Sequence, residues 1–191
     1  SVIPYLDKLD PIAKKIGAVN TIVNHQGTLT GYNTDWLGFT NSLEEVYSLK
    51  NKKVVLVGAG GAARAIAAAL VEAKIGKLTI ANRSLGKAEE LASLLASKTG
   101  FANVHAAALA DCDGGDADMI INSTSLGLKP VDALPLALDA VRPDTGISDI
   151  IMVPAETEWL VAAQKAGLRV HYGRHMLDYQ IDLIGKFIGA S

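Results

Sequence analysis

The stretch that decides the fold of this 191-residue chain is Val54-Val55-Leu56-Val57-Gly58-Ala59-Gly60-Gly61-Ala62-Ala63-Arg64. Its first four residues are apolar and mostly β-branched, which is typical of a strand buried on both faces of a parallel sheet. The alanine-rich run at residues 62–73 favours a helix. Between the two, Gly58, Gly60 and Ala63 complete a G-x-G-x-x-(G/A) pattern. The stretch therefore predicts a strand, a tight turn and a helix in direct succession.

This turn is suited to a dinucleotide. The first glycine allows a sharp turn, the second lets the backbone approach a pyrophosphate, and the small third residue lets the helix pack close to the strand. The free N–H groups at the start of the helix attract phosphate charge. A tight turn with a purely structural role is the alternative, because a lone glycine pattern is a weak signal. The cofactor-binding residues predicted here are Gly58, Ala59, Gly60, Gly61 and Ala62.

The next strand, at residues 77–81, indicates which dinucleotide binds. It leads into Asn82-Arg83-Ser84, 24 positions after Gly58, where an NAD site usually has an Asp or Glu for the ribose 2′-hydroxyl. This chain has Arg83 and Ser84 instead, with Lys87 one turn on, which suits a 2′-phosphate. We therefore expect NADP, held by Asn82, Arg83, Ser84 and Lys87. Alternatively, Ser84 only caps the next helix and Arg83 is solvated.

Strands and helices alternate regularly beyond Lys52. Further strands are predicted at residues 103–107, 118–122, 146–152 and 168–171, and further helices at 85–97 and 156–166. Alternation at this spacing is typical of an α/β fold with a doubly wound parallel sheet of the Rossmann type. Its ligand crevice lies at the carboxyl ends of the strands.

The first 50 residues show a different pattern. We predict a helix that begins at Asp10-Pro11, a hairpin at 19–24 and 28–32, and a helix opened by Asn33-Thr34-Asp35. The apolar stripe of that last helix comprises Trp36, Phe39, Leu43 and Val46. Because one hairpin and a helix cannot bury enough area to fold alone, this part is expected to be the remnant of a larger N-terminal α/β domain.

Composition excludes several classes of function. The formal net charge of −2 offers no basic surface for nucleic acid or for an anionic membrane. No apolar run is long enough to span a membrane, and no signal peptide opens the chain. The single cysteine, Cys112, excludes an internal disulfide and fits a reducing cytoplasm. No His, Cys or Asp cluster has the spacing of metal ligands, so no metal is expected.

Three polar residues have two interpretations each. Gln180 falls inside the apolar stripe of a predicted helix at 176–188, where an unpaired amide would cost ~1–3 kcal/mol, so it either makes an internal hydrogen bond or contacts a ligand. Asp35 is either functional or a helix-start carboxylate stabilised by the dipole. Asn20 could be an ordinary strand-end residue. The stripe around Gln180 comprises Met176, Leu177, Ile181, Ile184, Phe187 and Ile188.

Several motifs together resemble the shikimate dehydrogenase family in order and spacing, over essentially the whole chain. The resemblance implies reversible hydride transfer between NADP(H) and the carbon that is a ketone in 3-dehydroshikimate and an alcohol in shikimate, a step of aromatic amino acid biosynthesis. The motifs are Ile16-Gly17-Ala18-Val19-Asn20-Thr21, Gly31-Tyr32-Asn33-Thr34-Asp35, the glycine turn, Asn82-Arg83-Ser84 and Met176-Leu177-x-x-Gln180.

The resemblance also implies roles for individual residues. Asp35 matches the family's catalytic aspartate, and the amides of Asn20 and Gln180 match positions that hold a small shikimate-like substrate. The other implied contacts are to the nicotinamide, from Ser123, Thr124, Gly173 and Met176. The implied domains are 1–50 for the end of the substrate domain with a linking helix, 51–173 for NADP, and 174–191 for a helix that returns to the first. A homodimer is possible.

Three departures from the family's pattern are present. The family's catalytic lysine lies in a T-x-P-x-K-like segment expected before Ser1, so the chain is expected to be incomplete at its N-terminus; Lys8, Lys14 and Lys15 all follow that position. Met152 and Val153 replace a usual Tyr-Asn, and His175 replaces a common glycine. These changes favour a paralogue of shikimate dehydrogenase. The alternatives are a dehydrogenase of quinate or another cyclohexane polyol acid, and a non-catalytic NADP-binding module.

Overall fold

A small three-stranded sheet begins the chain. The computed structural model describes residues 2–44 and 47–188, apart from the side chains of residues 12, 35–37, 182, 183 and 188. Val46, predicted to continue the stripe of the second helix, lies outside the described residues. After a single 3-10 turn (Ile3–Tyr5), the elements are β1 (Lys8–Leu9), α1 (Pro11–Ile16), β2 (Thr21–His25), β3 (Thr28–Tyr32) and α2 (Asp35–Glu44).

The predicted hairpin of β2 and β3 is confirmed, but it has a third partner. Strand β1 pairs in parallel with β3, so the sheet order is β1-β3-β2. The Asp7 carboxylate accepts a hydrogen bond from Leu29 N (2.8 Å), and Asp7 N donates to Leu29 O (3.0 Å). A strand of two residues is too short to show a period, so sequence patterning missed it.

Six parallel strands form the larger sheet. They are β4 (Lys53–Val57), β5 (Lys77–Asn82), β6 (Val104–Ala108), β7 (Met119–Asn122), β8 (Gly146–Asp149) and β9 (Arg169–His171). Their order, β6-β5-β4-β7-β8-β9, is that of a Rossmann sheet, with the change of winding direction between β4 and β7. The predicted fold class is therefore confirmed.

Helices cover both faces of this sheet. They are α3 (Gly61–Glu72), α4 (Leu85–Thr99), α5 (Glu158–Lys165) and α6 (Gly173–Ile188). One face, with Leu56 and Ile80, packs against α3, α4 and the α2–α6 pair. The other face, with Val57 and Ile147, packs against α5 through the fully buried Trp159. None of the described helices has the length and apolar character needed to cross a bilayer.

The strand predicted at 146–152 is shorter than expected. Strand β8 ends at Asp149, because the Asp149 carboxylate accepts a hydrogen bond from the backbone N–H of Ile151 (3.0 Å) and turns the chain out of the sheet. Helix α6 also begins three residues earlier than predicted, at Gly173. Both differences fall at the carboxyl edge of the sheet, where loops and helix starts meet.

Helices α2 and α6 cross closely at Gly38. A Cβ added at Gly38 would lie 2.7 Å from Met176 O and 2.7 Å from Cγ of Gln180. Only a residue without a side chain permits this approach. The crossing joins the start of the chain to its last helix.

Candidate functional site

A cleft lies at the carboxyl ends of β4, β5 and β7, where the winding of the sheet reverses. Its volume is about 230 Å³, and a second hollow of about 180 Å³ shares Asn82 and Arg83 with it. Such a crevice is the usual ligand site of this fold. The lining residues outside the predicted set are Val57, Ala81, Leu109, Ser125 and Leu126.

The glycine turn forms one wall of this cleft. Gly58 has φ +113°, and a Cβ there would lie 2.7 Å from Ser123 Oγ and 3.0 Å from Thr124 Cγ2. Gly60 and Gly61, by contrast, would meet nothing within 4 Å. The first glycine is therefore required by the backbone and by its neighbours. The other two leave the first N–H groups of α3 open to an approaching anion.

Two cations flank the second hollow. The side chains of Arg83 and Lys87 are exposed, and neither forms an ion pair within the described part of the chain. Asn82 Nδ2 donates to Ser84 O (2.9 Å), which holds the turn after β5. Ser84 occupies the N-cap position of α4 without a capping hydrogen bond from its side chain, so the alternative that it serves only as a cap loses its support.

Polar side chains beneath the cleft are buried and hydrogen-bonded to one another. Asn122 Oδ1 accepts from Thr124 N (3.0 Å) and Thr124 Oγ1 (2.7 Å), and Asn122 Nδ2 donates to Leu126 O (3.0 Å) and to Asp149 Oδ1 (3.1 Å). Asp149, 0% exposed, also accepts from Ile151 N and Thr157 Oγ1. Sequence reasoning missed Asp149, although two polar residues that end neighbouring buried strands were a usable signal.

Burial has a strong effect on the Asp149 carboxylate. Loss of water raises its pKa, while the hydrogen bonds from Ile151, Asn122 and Thr157 oppose that rise. All three groups are uncharged donors. The carboxylate is therefore held by dipoles and not by a counter-ion.

The predicted substrate residues of the first 50 positions meet at the start of α2. Asn20 Oδ1 accepts from Thr34 N (2.9 Å) and from Thr34 Oγ1 (3.3 Å). Asp35 is the first residue of α2, and its side chain lies outside the described atoms. The structure therefore brings Asn20 beside the helix start that carries Asp35.

Helix α6 presents Gln180 to the same region. Gln180 is 8% exposed and packs against Gly38, one turn beyond Asp35. Only part of the predicted apolar stripe of α6 faces the core: Met176 is buried, but Leu177, Ile181 and Ile184 are exposed. Phe187 is partly buried and stacks on Tyr32 with ring centroids 4.5 Å apart. The side chain of Ile188 lies outside the described atoms.

The loop after β8 approaches the start of α6 very closely. A Cβ at Gly173 would lie 2.5 Å from Ile150 C and from Ile151 O, so only glycine fits there. In the same loop, Val153 is 79% exposed and Met152 packs partly against the core. His175, on the first turn of α6, has its ring 5.4 Å from that of His171.

His171 is a buried histidine at the end of β9. Burial is the main cause that lowers its pKa to about 4, the nearby His175 lowers it further, and the backbone of Ser42 opposes the shift. A hydrogen bond of 3.0 Å joins its Nδ1 to Ser148 Oγ. The ring is therefore neutral near pH 7. Among the described residues, no three His, Cys, Asp or Glu side chains form a cluster that could hold a metal ion.

The chain is similar in sequence to known dehydrogenases. The sequence model described as shikimate / quinate 5-dehydrogenase matches residues 41–131. The chain is 44% identical to the shikimate dehydrogenase (NADP(+)) of Moorella thermoacetica, over 94% of this chain and 63% of that protein. It spans 63% to 66% of the length of the first curated relatives that it matches.

Solved structures give the same result over nearly the whole chain. A shikimate dehydrogenase in complex with NADP+ superposes with a TM-score of 0.91 at 36% identity, over 98% of this chain and 67% of that one. The ligand-free 5-ketofructose reductase of a Gluconobacter strain superposes with a TM-score of 0.89 at 37% identity, over 98% of this chain and 69% of that one. The chain therefore belongs to the shikimate and quinate dehydrogenase family.

Proposed function

We propose that the complete protein is an NADP-dependent oxidoreductase that interconverts 3-dehydroshikimate and shikimate, or a close paralogue that acts on a related polyol. The observation that carries the proposal is the pair of unpaired cations, Arg83 and Lys87, beside the open glycine turn. A 2′-phosphate would neutralise these cations, and relatives named as NADP(+) enzymes support this cofactor.

Different residues around the cleft would bind different parts of NADP. The N–H groups that follow Gly60 would hold the pyrophosphate, and Arg83, Ser84 and Lys87 would hold the 2′-phosphate while Asn82 fixes their turn. When bound, NADP supplies or accepts the hydride. The residues proposed for the nicotinamide side are Ser123, Thr124, Gly173 and Met176; of these, Met176 is buried at the α2–α6 crossing.

Asp35 is the proposed catalytic residue of this chain. The resemblance pairs it with a lysine that donates a proton to the carbonyl oxygen during reduction, and Asp35 would orient that ammonium group and balance its charge. Asn20 supports this role indirectly, because its Oδ1 holds Thr34 N immediately before Asp35. That arrangement leaves the Asn20 amide group as the part that could donate to a substrate oxygen.

Gln180 is the proposed second substrate contact. It lies at the α2–α6 crossing, where Gly38 lets it approach the turn that begins with Asp35. Two separate segments of the chain, α2 and α6, therefore meet one turn after the helix start that carries Asp35. This convergence supports a binding role for Gln180 more strongly than its position in the stripe alone.

A substrate other than shikimate is the second candidate. The chain is 37% identical to a 5-ketofructose reductase, and Met152, Val153 and His175 replace residues that are usual in shikimate dehydrogenases. These positions lie in the loop after β8 and on the first turn of α6. They favour quinate or another polyol with the same alcohol-to-ketone chemistry.

The test is an assay of the complete protein with several substrates in parallel. NADP+ reduction is followed with shikimate and with quinate, and NADPH oxidation with 5-ketofructose, using Asp35→Asn as the inactive control. We expect turnover with one of these and its loss in Asp35→Asn. Saturable NADP binding without turnover would indicate a non-catalytic NADP-binding module, and absence of NADP binding would contradict the proposal.

The proposal also includes a cytoplasmic location and a homodimer. The thiol of Cys112 is half-buried, and burial raises its pKa, which disfavours the reactive thiolate. A lone unreactive thiol is compatible with a reducing compartment. Light scattering of the purified protein would decide between monomer and dimer.

A further inference from the structure

We propose that Asp149 is a positioning residue, which fixes the two loops that form the nicotinamide side of the cleft. Asp149 does not line the cleft itself; it would act through Asn122, Ile151 and Thr157. This inference rests on the proposed function for its catalytic consequence, but its structural part can be tested without it.

The first loop, residues 123–127 after β7, is held through Asn122. Asp149 Oδ1 accepts from Asn122 Nδ2, which sets the orientation of the Asn122 amide. With that orientation fixed, Asn122 Oδ1 faces the N–H and the hydroxyl of Thr124, and Nδ2 also reaches Leu126 O. Thr124 and Leu126 both line the cleft. Three hydrogen bonds to the cleft wall therefore depend on one buried carboxylate.

The second loop, which follows β8, is held directly by the Asp149 carboxylate. Asp149 Oδ1 accepts from Ile151 N, and Oδ2 accepts from Thr157 Oγ1, which also caps the start of α5 by accepting from Leu160 N. The Ile151 carbonyl then lies where a Cβ at Gly173 would clash. Asp149 therefore also determines how closely the loop after β8 can approach the first turn of α6.

The two loops are also in contact with each other. A Cβ at Gly127, at the end of the first loop, would lie 3.4 Å from Ile151 Cδ1 and 3.4 Å from Thr157 Cβ. In addition, Ile150 N donates to Asn122 O (3.2 Å). A shift of one loop would therefore displace the other. Small displacements of this kind matter, since a misplacement of about 1 Å can cost on the order of 10²-fold in rate.

The side chain at 149 must accept hydrogen bonds, because its three partners point donors at it. Alanine removes all of the acceptors. Asparagine keeps one oxygen for Ile151 N and Asn122 Nδ2, and its own amide group can donate to Thr157 Oγ1. Asparagine should therefore keep the loops in place, and alanine should release them.

The experiment compares Asp149→Ala with Asp149→Asn and with a matched control at the opposite edge of the sheet. The control is Asp118→Ala, since Asp118 also accepts from a backbone N–H, that of Lys53 (2.8 Å), and from a side chain, that of Arg142 (3.1 Å). Thr157→Val, which removes one partner of Asp149, serves as a milder variant if Asp149→Ala does not fold. The measurements are kcat, the free energy of unfolding in urea, and hydrogen–deuterium exchange of residues 123–127.

We expect Asp149→Ala to lower kcat by about tenfold or more. The kcat of Thr157→Val should lie between that of Asp149→Ala and that of the wild type. The kcat of Asp149→Asn should stay within about twofold of the wild-type value. Exchange at residues 123–127 should be faster in Asp149→Ala and unchanged in Asp118→Ala. If Asp149→Ala and Asp118→Ala lower stability alike while kcat and exchange stay unchanged, the inference is overturned. If the wild type shows no turnover, the proposed function fails, and the exchange comparison still decides whether Asp149 positions the loops.

Discussion

The strands of the six-stranded sheet are held by different contacts at their two ends. The amino ends of the strands form the amino edge of the sheet, and the carboxyl ends form the carboxyl edge. At the amino edge, five ion pairs join exposed or half-exposed side chains among the described residues. At the carboxyl edge, buried side chains bond to one another through uncharged donors around Asp149. The residues of the amino-edge cluster are Lys52, Lys53, Lys77, Asp116, Asp118, Arg142 and Asp144.

Two aspartates show the difference most clearly: Asp118, which directly precedes β7, and Asp149, which ends the neighbouring β8. Burial alone would raise the pKa of Asp118, but the hydrogen bond from Lys53 N and the charges of Lys52 and Arg142 outweigh it and lower the pKa. Burial raises the pKa of Asp149, since its partners carry no charge to offset the loss of water. The amino edge thus pairs its charges within the protein. The carboxyl edge keeps Arg83 and Lys87 unpaired and available for an anionic ligand.

The largest expected effect comes from Gly58→Ala at the carboxyl edge. The combination of φ +113° with a Cβ only 2.7 Å from Ser123 Oγ should cost about 4 kcal/mol of unfolding free energy. Gly60→Ala is the control, because its Cβ meets open space, and it should cost at most about 1 kcal/mol while weakening NADP binding. Urea unfolding measures both. Equal losses of stability would mean that the glycine turn is not locked against the loop after β7.

The next largest effect is a pH dependence of the unfolding free energy, caused by a residue at the carboxyl edge. Because the folded protein lowers the pKa of His171 from 6.5 to about 4, His171 contributes stability above pH 6.5 that is lost as the pH falls towards 4. The loss should approach about 3 kcal/mol. Protonation of Asp149 acts in the opposite direction, since its raised pKa favours the protonated folded state at low pH.

A variant isolates the contribution of His171. Urea unfolding across this pH range should show a shallower fall in His171→Gln than in wild type. His105→Gln, at an exposed histidine of β6, should keep the wild-type dependence. Parallel pH profiles for His171→Gln and wild type would contradict the assignment. The amino-edge Asp118 should respond only at lower pH, since its pKa is below 3.8.

A smaller effect concerns the unpaired cations of the cleft. Arg83→Ala should weaken NADP binding by about 1.5–3 kcal/mol, for the loss of a charge-assisted contact, and weaken NAD binding much less. Calorimetric titration of both cofactors measures the difference. Equal losses for NADP and NAD would show that Arg83 does not bind the 2′-phosphate.

The smallest effect is expected at the amino edge. Lys53→Ala removes an exposed ion pair with Asp116 (3.4 Å), and Lys77 remains 3.8 Å from the same carboxylate. The unfolding free energy should fall by less than about 1 kcal/mol, and by even less at high salt. Lys129→Ala, at an exposed loop lysine, is the matched control. A loss above about 2 kcal/mol would mean that the ion pairs of this edge act as a cooperative network.

Most of the fold follows from local patterns in the sequence. The run from Val54 to Arg64 predicts strand β4, the glycine turn and helix α3 because hydrophobic period, glycine content and helix propensity all act over a few residues. The doubly wound parallel sheet also follows, since regularly alternating strands and helices favour that architecture, but the strand order is known only from the structure. The expectation of NADP rests on the same kind of local signal, Arg83 in place of an acid.

The tertiary structure decided what depends on partners distant in the sequence. Strand β1 exists because β3 offers its edge, and the Asp149 carboxylate is held by Asn122, which lies on a different strand. Neither pairing leaves a periodic trace in the sequence. The roles of Asn20, Asp35 and Gln180 stay predictions, but the contacts of Asn20 with Thr34 and of Gln180 with Gly38 are properties of the fold. Local propensities select the elements, and only the burial of Asn122 and Asp149 against each other, on different strands, determines how the wall of the cleft at Thr124 and Leu126 is held.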